Sequence, residues 1–79
     1  MNLRVQLFAS LGRYAPGEGG TDPFEMTVVA GTSVADLLAA LNVPEEVVKL
    51  IFVNGVHASG DRLLEEGDRV GVFPPVAGG

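Results

Sequence analysis

The fold is decided by the stretch RVGVFPPVAGG at residues 69–79, where a strand pattern runs directly into a proline-bearing tail. Valines at alternate positions of residues 69–73 predict a half-buried strand. Residues 3–8 alternate in the same way, with leucine and valine on the inward side. These two segments have the clearest apolar alternation in the chain, so we expect them to be the main strands of one sheet.

Turn and cap signals divide the sequence between these two strands. Ser33 stands at a helix N-cap position with Asp36 three residues later, and the apolar positions that follow have helical spacing. Pro44 ends this helix, and Asn54-Gly55 is a strong hairpin signal. The remaining predicted segments are a loop over 12–23, strands over 24–29, 49–53 and 56–58, and a polar turn region over 59–68.

The predicted order β β α β β β indicates an α+β domain with one main helix packed on one face of a sheet. The β-grasp (ubiquitin-like) fold is the most economical form of this order, with a mixed sheet of about five strands. In that fold the first and last strands lie side by side and parallel at the centre. We expect residues 1–73 to form the domain and residues 74–79 to form a flexible tail.

Composition limits the function classes. The 79 residues suffice for one domain, and the chain has no cysteine, which excludes a disulfide, a thiolate metal site and a cysteine nucleophile. The net charge of −5 makes nucleic acid a poor partner, since phosphates attract lysine and arginine. No apolar run approaches the ~20 residues of a membrane span. We therefore expect a cytoplasmic protein with no metal and no membrane partner.

The tail has a composition suited to chemistry at a carboxylate. Gly78 and Gly79 carry no side chain, so a carboxylate at this point can enter a narrow active site. Pro74 and Pro75 restrict the backbone and hold the preceding segment extended. The ordinary alternative is a frayed end, since glycine is common here, with 11 in the chain.

Five segments of the sequence closely resemble the MoaD/ThiS family of ubiquitin-like sulfur carriers, which includes the small subunit of molybdopterin synthase. They are LFASL at 7–11, KLIFVNG at 49–55, GDRLL at 60–64, EGDRV at 66–70 and FPPVAGG at 73–79. The last of these is the most specific, because it joins strand, proline segment and diglycine in one string. The resemblance covers nearly the whole chain.

The resemblance implies a function for the tail. An E1-like adenylating enzyme would use ATP to adenylate Gly79, and a sulfur donor would then convert the adenylate to a thiocarboxylate. The tail, with Gly78 and the segment Pro74, Pro75, Val76 and Ala77, would enter a synthase such as the molybdopterin synthase large subunit. The protein would be a co-substrate, with no catalytic residues of its own and no bound cofactor.

A second predicted site lies on the sheet face opposite the helix. If the valines of the last strand point to the helix, Phe8 and Phe73 point away, and placing Leu50 and Phe52 inward puts Ile51 outward. Phe8, Ile51 and Phe73 would then form an exposed apolar patch near the tail, suited to partner binding. The alternative is scattered surface hydrophobic residues, or a patch half-covered by the loop at 12–23. His57, after the hairpin turn, is expected to face solvent.

Three alternatives to molybdopterin biosynthesis follow from the same sequence. The sulfur could go to thiazole, a cysteine precursor or transfer RNA. The activated glycine could instead join target lysines, as in a ubiquitin-like modifier. In the third alternative the chain is a binding module whose tail has no role.

Overall fold

The structure is a computed structural model that describes residues 1–17 and 20–75. Its strands and helices are β1 (Asn2–Leu7), a first 3-10 helix (Ala9–Tyr14), β2 (Phe24–Thr27), α1 (Val34–Ala40), a second 3-10 helix (Glu45–Val47), β3 (Leu50–Val53), β4 (Val56–His57) and β5 (Arg69–Phe73). This is the predicted β β α β β β order, with one main helix.

The five strands form one mixed sheet in the order β2-β1-β5-β3-β4. β1 and β5 pair in parallel at its centre, with Val5 opposite Val70 and Leu7 opposite Val72. β2 flanks β1, and β3 flanks β5, both antiparallel. The predicted β-grasp arrangement, with the first and last strands side by side, is confirmed.

Local signals in the sequence set the helix and the hairpin. The Ser33 hydroxyl accepts a hydrogen bond from the Asp36 amide at 3.1 Å, and the Asp36 carboxylate accepts one from the Ser33 amide at 3.1 Å. This capping box satisfies backbone donors at the start of α1. Asn54 and Gly55 have φ angles of 54° and 81°, the left-handed pair that a two-residue type I′ turn requires.

The core lies between α1 and the sheet face that we call the inner face. Val5, Leu7, Val34, Leu37 and Val72 have no exposed surface. In the turn region before β5, Leu64 is buried, with 4% of its surface exposed, whereas its neighbour Leu63 is 61% exposed. Only one of these two leucines therefore anchors the loop to the core.

The segment after β1 differs from the prediction. A 3-10 helix occupies Ala9–Tyr14, where the sequence predicted an open loop from residue 12. The amide of Gly20 donates to the carbonyl of Gly12 at 2.8 Å. A Cβ added at Gly12 would lie 2.8 Å from the carbonyl carbon of Gly20, so only glycine permits this approach. The two ends of the glycine-rich loop are thereby held together.

Within residues 1–17 and 20–75, no helix combines the length and the apolar content needed to cross a membrane.

Candidate functional site

The orientation of β3 in the sheet contradicts the predicted outer-face position of one site residue, Ile51. Ile51 lies opposite Val72 and Val53 opposite Val70, which puts Ile51 and Val53 on the inner face. Ile51 packs against the core, so its predicted place on the outer face is wrong. Leu50 and Phe52, predicted inward, point outward instead. The segment 50–53 is apolar at every position, and its facing is set by its register with β5.

Three phenylalanines form a cluster on the outer sheet face, at the root of the tail. The rings of Phe8 and Phe73 stack with centroids 4.1 Å apart and an interplanar angle of 5°. Phe52 meets Phe73 edge to face at 5.7 Å. The outward facing predicted for Phe8 and Phe73 is confirmed, and Phe52 occupies the place expected for Ile51. We call Phe8, Phe52 and Phe73 the aromatic cluster.

Gly71 forms the floor of a groove beside the aromatic cluster. It lies opposite Phe52 on β3 and opposite Gln6 on β1. A Cβ at this position would lie 3.4 Å from Cε2 of Phe8 and 3.7 Å from Cε2 of Phe73. A side chain would therefore fill the space over the strand, and glycine leaves a groove of about 520 Å³ open between the rings and Arg69.

A buried carboxylate fixes the start of β5 against the β3–β4 turn. Asp68 is 6% exposed. Its Oδ1 accepts a hydrogen bond from Nδ2 of Asn54 at 2.9 Å, and its Oδ2 accepts one from the Glu65 amide at 2.8 Å. Oδ1 of Asn54 in turn accepts from the Arg69 amide at 2.9 Å. This network, which the sequence reasoning missed, sets where β5 begins and so where Phe73 and the tail emerge.

The sheet pairing ends at Phe73, whose carbonyl accepts a hydrogen bond from the Lys49 amide at 2.8 Å. Pro74 is half-buried and Pro75 is exposed. Neither proline has an N–H to continue the ladder, so the chain leaves the sheet here. The other predicted tail residues, Val76, Ala77, Gly78 and Gly79, lie outside the described residues. Their roles, like those of Pro74 and Pro75, stay predictions.

Replacing Phe73 with serine tests whether the aromatic cluster is a docking surface. Loss of two ring contacts should lower the free energy of unfolding by about 1–2 kcal/mol, which leaves the domain folded. Partner binding, measured by titration calorimetry with an activating enzyme, should weaken about tenfold or more, as for an interface anchor.

The matched control is Leu63→Ser, because Leu63 is 61% exposed and lies outside the aromatic cluster. It should leave binding unchanged. If Phe73→Ser lowers stability but binds as tightly as the unaltered protein, the cluster serves the domain's own packing.

The model of the ThiS family matches residues 5–79, which is nearly the whole chain and includes the tail. This chain belongs to the ThiS family. It is therefore a sulfur carrier of the ThiS/MoaD type or a ubiquitin-like modifier of the same family. No curated protein matches the sequence.

Solved structures with the same fold support this membership. The putative molybdopterin converting factor subunit 1 from Pyrococcus furiosus is 34% identical, with a TM-score of 0.73 over 95% of this chain and 98% of its own. SAMP1 from Haloferax volcanii is 25% identical, with a TM-score of 0.73 over 100% of both chains. A chain of the Helicobacter pylori complex of molybdopterin-converting factor subunits 1 and 2 is 22% identical, with a TM-score of 0.63 over 100% of both chains. That last similarity concerns the fold alone.

Proposed function

We propose that this protein is a sulfur carrier for molybdopterin biosynthesis and that the carboxylate of Gly79 is its reacting group. The main support is the family match, which runs through Gly78 and Gly79. The Pyrococcus furiosus similarity, at 34% identity to a putative molybdopterin converting factor subunit, favours the molybdopterin pathway. The aromatic cluster at the root of the tail supplies a surface on which a partner could hold the domain while the tail reacts.

The proposed chemistry proceeds in two steps at one carboxyl group. A carboxylate oxygen of Gly79 attacks the α-phosphorus of ATP in the active site of an E1-like adenylating enzyme, and pyrophosphate leaves. Hydrosulfide supplied by a sulfur donor then attacks the carbonyl carbon of the adenylate. The new C–S bond forms as the C–O bond to AMP breaks, and loss of the S–H proton gives the thiocarboxylate. The carrier contributes the acyl group, and the enzyme contributes the ATP site. Because adenylation consumes ATP, the cytoplasm is the proposed location.

The synthase is the second proposed partner. The Helicobacter pylori structure is a complex of subunit 1 with subunit 2, and its subunit 1 is the counterpart that the fold of this chain suggests. In such a complex the thiocarboxylate tail would enter the large subunit, and the outer sheet face would remain close to the point of entry. Phe8, Phe52 and Phe73 are the residues we assign to this contact.

Pro75 tests whether the stiffness of the tail contributes to insertion. A proline restricts the free chain, and its replacement by alanine adds freedom worth about 0.4–1 kcal/mol that insertion must remove. We expect Pro75→Ala to raise the KM for the carrier in sulfur transfer by about two- to fivefold, with an unchanged melting temperature. Pro16→Ala, in an exposed loop, is the control and should change neither quantity. An unchanged KM for Pro75→Ala would contradict the role of stiffness.

The direct test of the proposed function is reconstitution with an activating enzyme from the same cell, ATP and sulfide. Intact-mass measurement should show a gain of about 16 Da, the replacement of one oxygen by sulfur at an acyl site. Adding a synthase and its sulfur-free pterin substrate should then return the carrier to its starting mass. Loading without this discharge would favour thiazole, a cysteine precursor or transfer RNA as the acceptor.

Conjugation to proteins is the second candidate function, favoured by the similarity to SAMP1 over the full length of both chains. It uses the same activated glycine but ends in an amide bond to a lysine. Immunoblotting of denatured extracts separates the two functions, because a modifier produces high-mass species that require Gly79 whereas a carrier remains at its own mass.

A further inference from the structure

Two arginines lie side by side on the outer face, at the end of the groove away from the aromatic cluster. Arg4 on β1 and Arg69 on β5 are direct partners in the parallel register, so their side chains project from the same face of the sheet. Both line the groove over Gly71. Like charges directly opposite each other across two strands destabilise a sheet. Such a local conflict is typical of a site kept for binding.

The surroundings only partly offset this positive charge. Glu25 on β2 lies opposite Arg4 on the other side. Asn54 lies beside Arg69, but its amide is already engaged by Asp68 and by the Arg69 backbone. This row of the sheet therefore carries two positive charges against one negative charge.

Positive charge is scarce in this chain, yet two of its arginines are neighbours in the sheet. The chain has ten acidic residues and only five lysines and arginines, for a net charge of −5. Two of those five cations are neighbours on the two central strands of the outer face. Although the chain as a whole is acidic, two adjacent guanidinium groups make this part of the outer face locally complementary to a carboxylate of a protein segment.

The groove also fixes the spacing of its occupant. Gly71 and Arg69 are two residues apart on one strand, which corresponds to about 7 Å. An apolar side chain over Gly71, against the aromatic cluster, and a carboxylate that pairs with Arg69 would thus come from partner positions about 7 Å apart along the strand direction, counted between Cα atoms. Residues i and i+2 of an extended segment have this spacing and project to the same side.

We propose that the outer groove binds an extended acidic segment of a partner protein, with an apolar residue two positions from an aspartate or glutamate. The apolar side chain lies over Gly71 against the aromatic cluster, and the carboxylate contacts Arg4 and Arg69. This inference rests on the proposed function, since the activating enzyme or the synthase is the partner that would carry the segment. It adds the chemistry by which the partner is recognised.

The test measures peptide binding and does not depend on any reaction at Gly79. The isotope-labelled protein is titrated with the end-blocked peptide GSLSDSG, and amide NMR shifts report the binding site. The lysine peptide GSLSKSG is the control ligand. At low salt, the aspartate peptide should shift the amides of Arg4, Arg69 and Gly71 and should bind about tenfold more tightly than the lysine peptide.

Protein variants then assign the contact. Arg69→Gln should weaken binding of the aspartate peptide about three- to tenfold, and Arg69→Glu should abolish its preference over the lysine peptide. Arg62→Gln removes an arginine that does not line the groove and should have no effect. A chain lacking Gly79 should bind the peptide normally, so a failure of the sulfur-carrier proposal remains distinguishable from a failure here.

Three results would overturn the inference. Equal affinity for the aspartate and lysine peptides would show that the groove does not select an acidic residue. Shifts confined to the helix side of the domain would place binding elsewhere. If AMP or ATP shifted the same amides more strongly than the aspartate peptide does, the groove would be a site for a nucleotide and not for a protein segment.

Discussion

Removal of Gly79 should reduce thiocarboxylate formation by about a hundredfold or more, while the melting temperature stays unchanged. The shortened chain would present a carboxylate about 3.5 Å short of its position in the activating enzyme. Misplacement of a reacting group by even 1 Å costs on the order of a hundredfold in rate. The measurement is the rate of mass gain with ATP, sulfide and an activating enzyme at equal carrier concentrations.

Two further variants separate the effect of tail length from the effect of a side chain at position 79. Gly79→Ala keeps the length but adds a Cβ, which would clash in a channel shaped for glycine, so we expect loading to slow by about tenfold or more. A chain extended by one alanine should be inert unless it is trimmed. Normal loading of either the shortened or the extended chain would contradict the assignment of Gly79 as the reacting residue.

Replacement of Asp68 with alanine should have the largest effect on stability among the polar residues. It leaves the Asn54 side-chain amide and the Glu65 backbone amide without the acceptors they contact at 2.9 and 2.8 Å. Both hydrogen bonds are partly buried, and a hydrogen bond to a charged acceptor contributes about 1.5–3 kcal/mol. Because a domain of this size has only about 3–5 kcal/mol from its core, urea unfolding should show a midpoint shifted sharply downward or a partly unfolded protein in water.

The control for Asp68 is Asp22→Ala, at an exposed position, which should leave the midpoint unchanged. Asp68→Asn should fall between the two, because the amide keeps one acceptor oxygen but turns an N–H group toward a donor. If Asp68→Ala unfolds at the same urea concentration as the unaltered protein, the network with Asn54 does not hold β5 in place.

The sequence predicted those elements that have local causes. The capping box at Ser33 and Asp36 depends on residues three positions apart, and both of its hydrogen bonds form. The Asn54-Gly55 turn needs two positive φ angles, which these residue types tolerate. The parallel pairing of β1 and β5 follows from their alternation together with the β-grasp order, and this pairing is observed.

The facing of β3 has a non-local cause. Residues 50–53 are all apolar, so neither face is marked by polarity. The pairing with β5 decides it, because it sets Phe52 opposite Gly71 on the outer face and leaves Val53 fully buried. Gly71 is the residue in the sequence that could have indicated this facing. An outward-facing glycine on a central strand leaves room for a large side chain from a neighbouring strand, which favours an outward Phe52. The aromatic cluster was therefore predicted with two of its three members.

The hydrogen-bond network of Asp68 was missed for a related reason. An Asp before a strand is common in turns, and its burial depends on Asn54, 14 residues away along the chain. Likewise, the 3-10 helix after β1 depends on the close approach of Gly12 to Gly20, which no local pattern encodes. These contacts could be found only once the sheet had placed the segments together.

The most direct test of Gly79 as the reacting residue is to locate the added sulfur within the chain. After loading, trypsin cleavage following Arg69 releases the segment 70–79, whose fragment ions separate Gly79 from the residues before it. We expect a gain of about 16 Da only in the fragments that contain Gly79. A carrier that gains no mass under conditions where the enzyme consumes ATP, or one that carries the sulfur on any other residue, would contradict it.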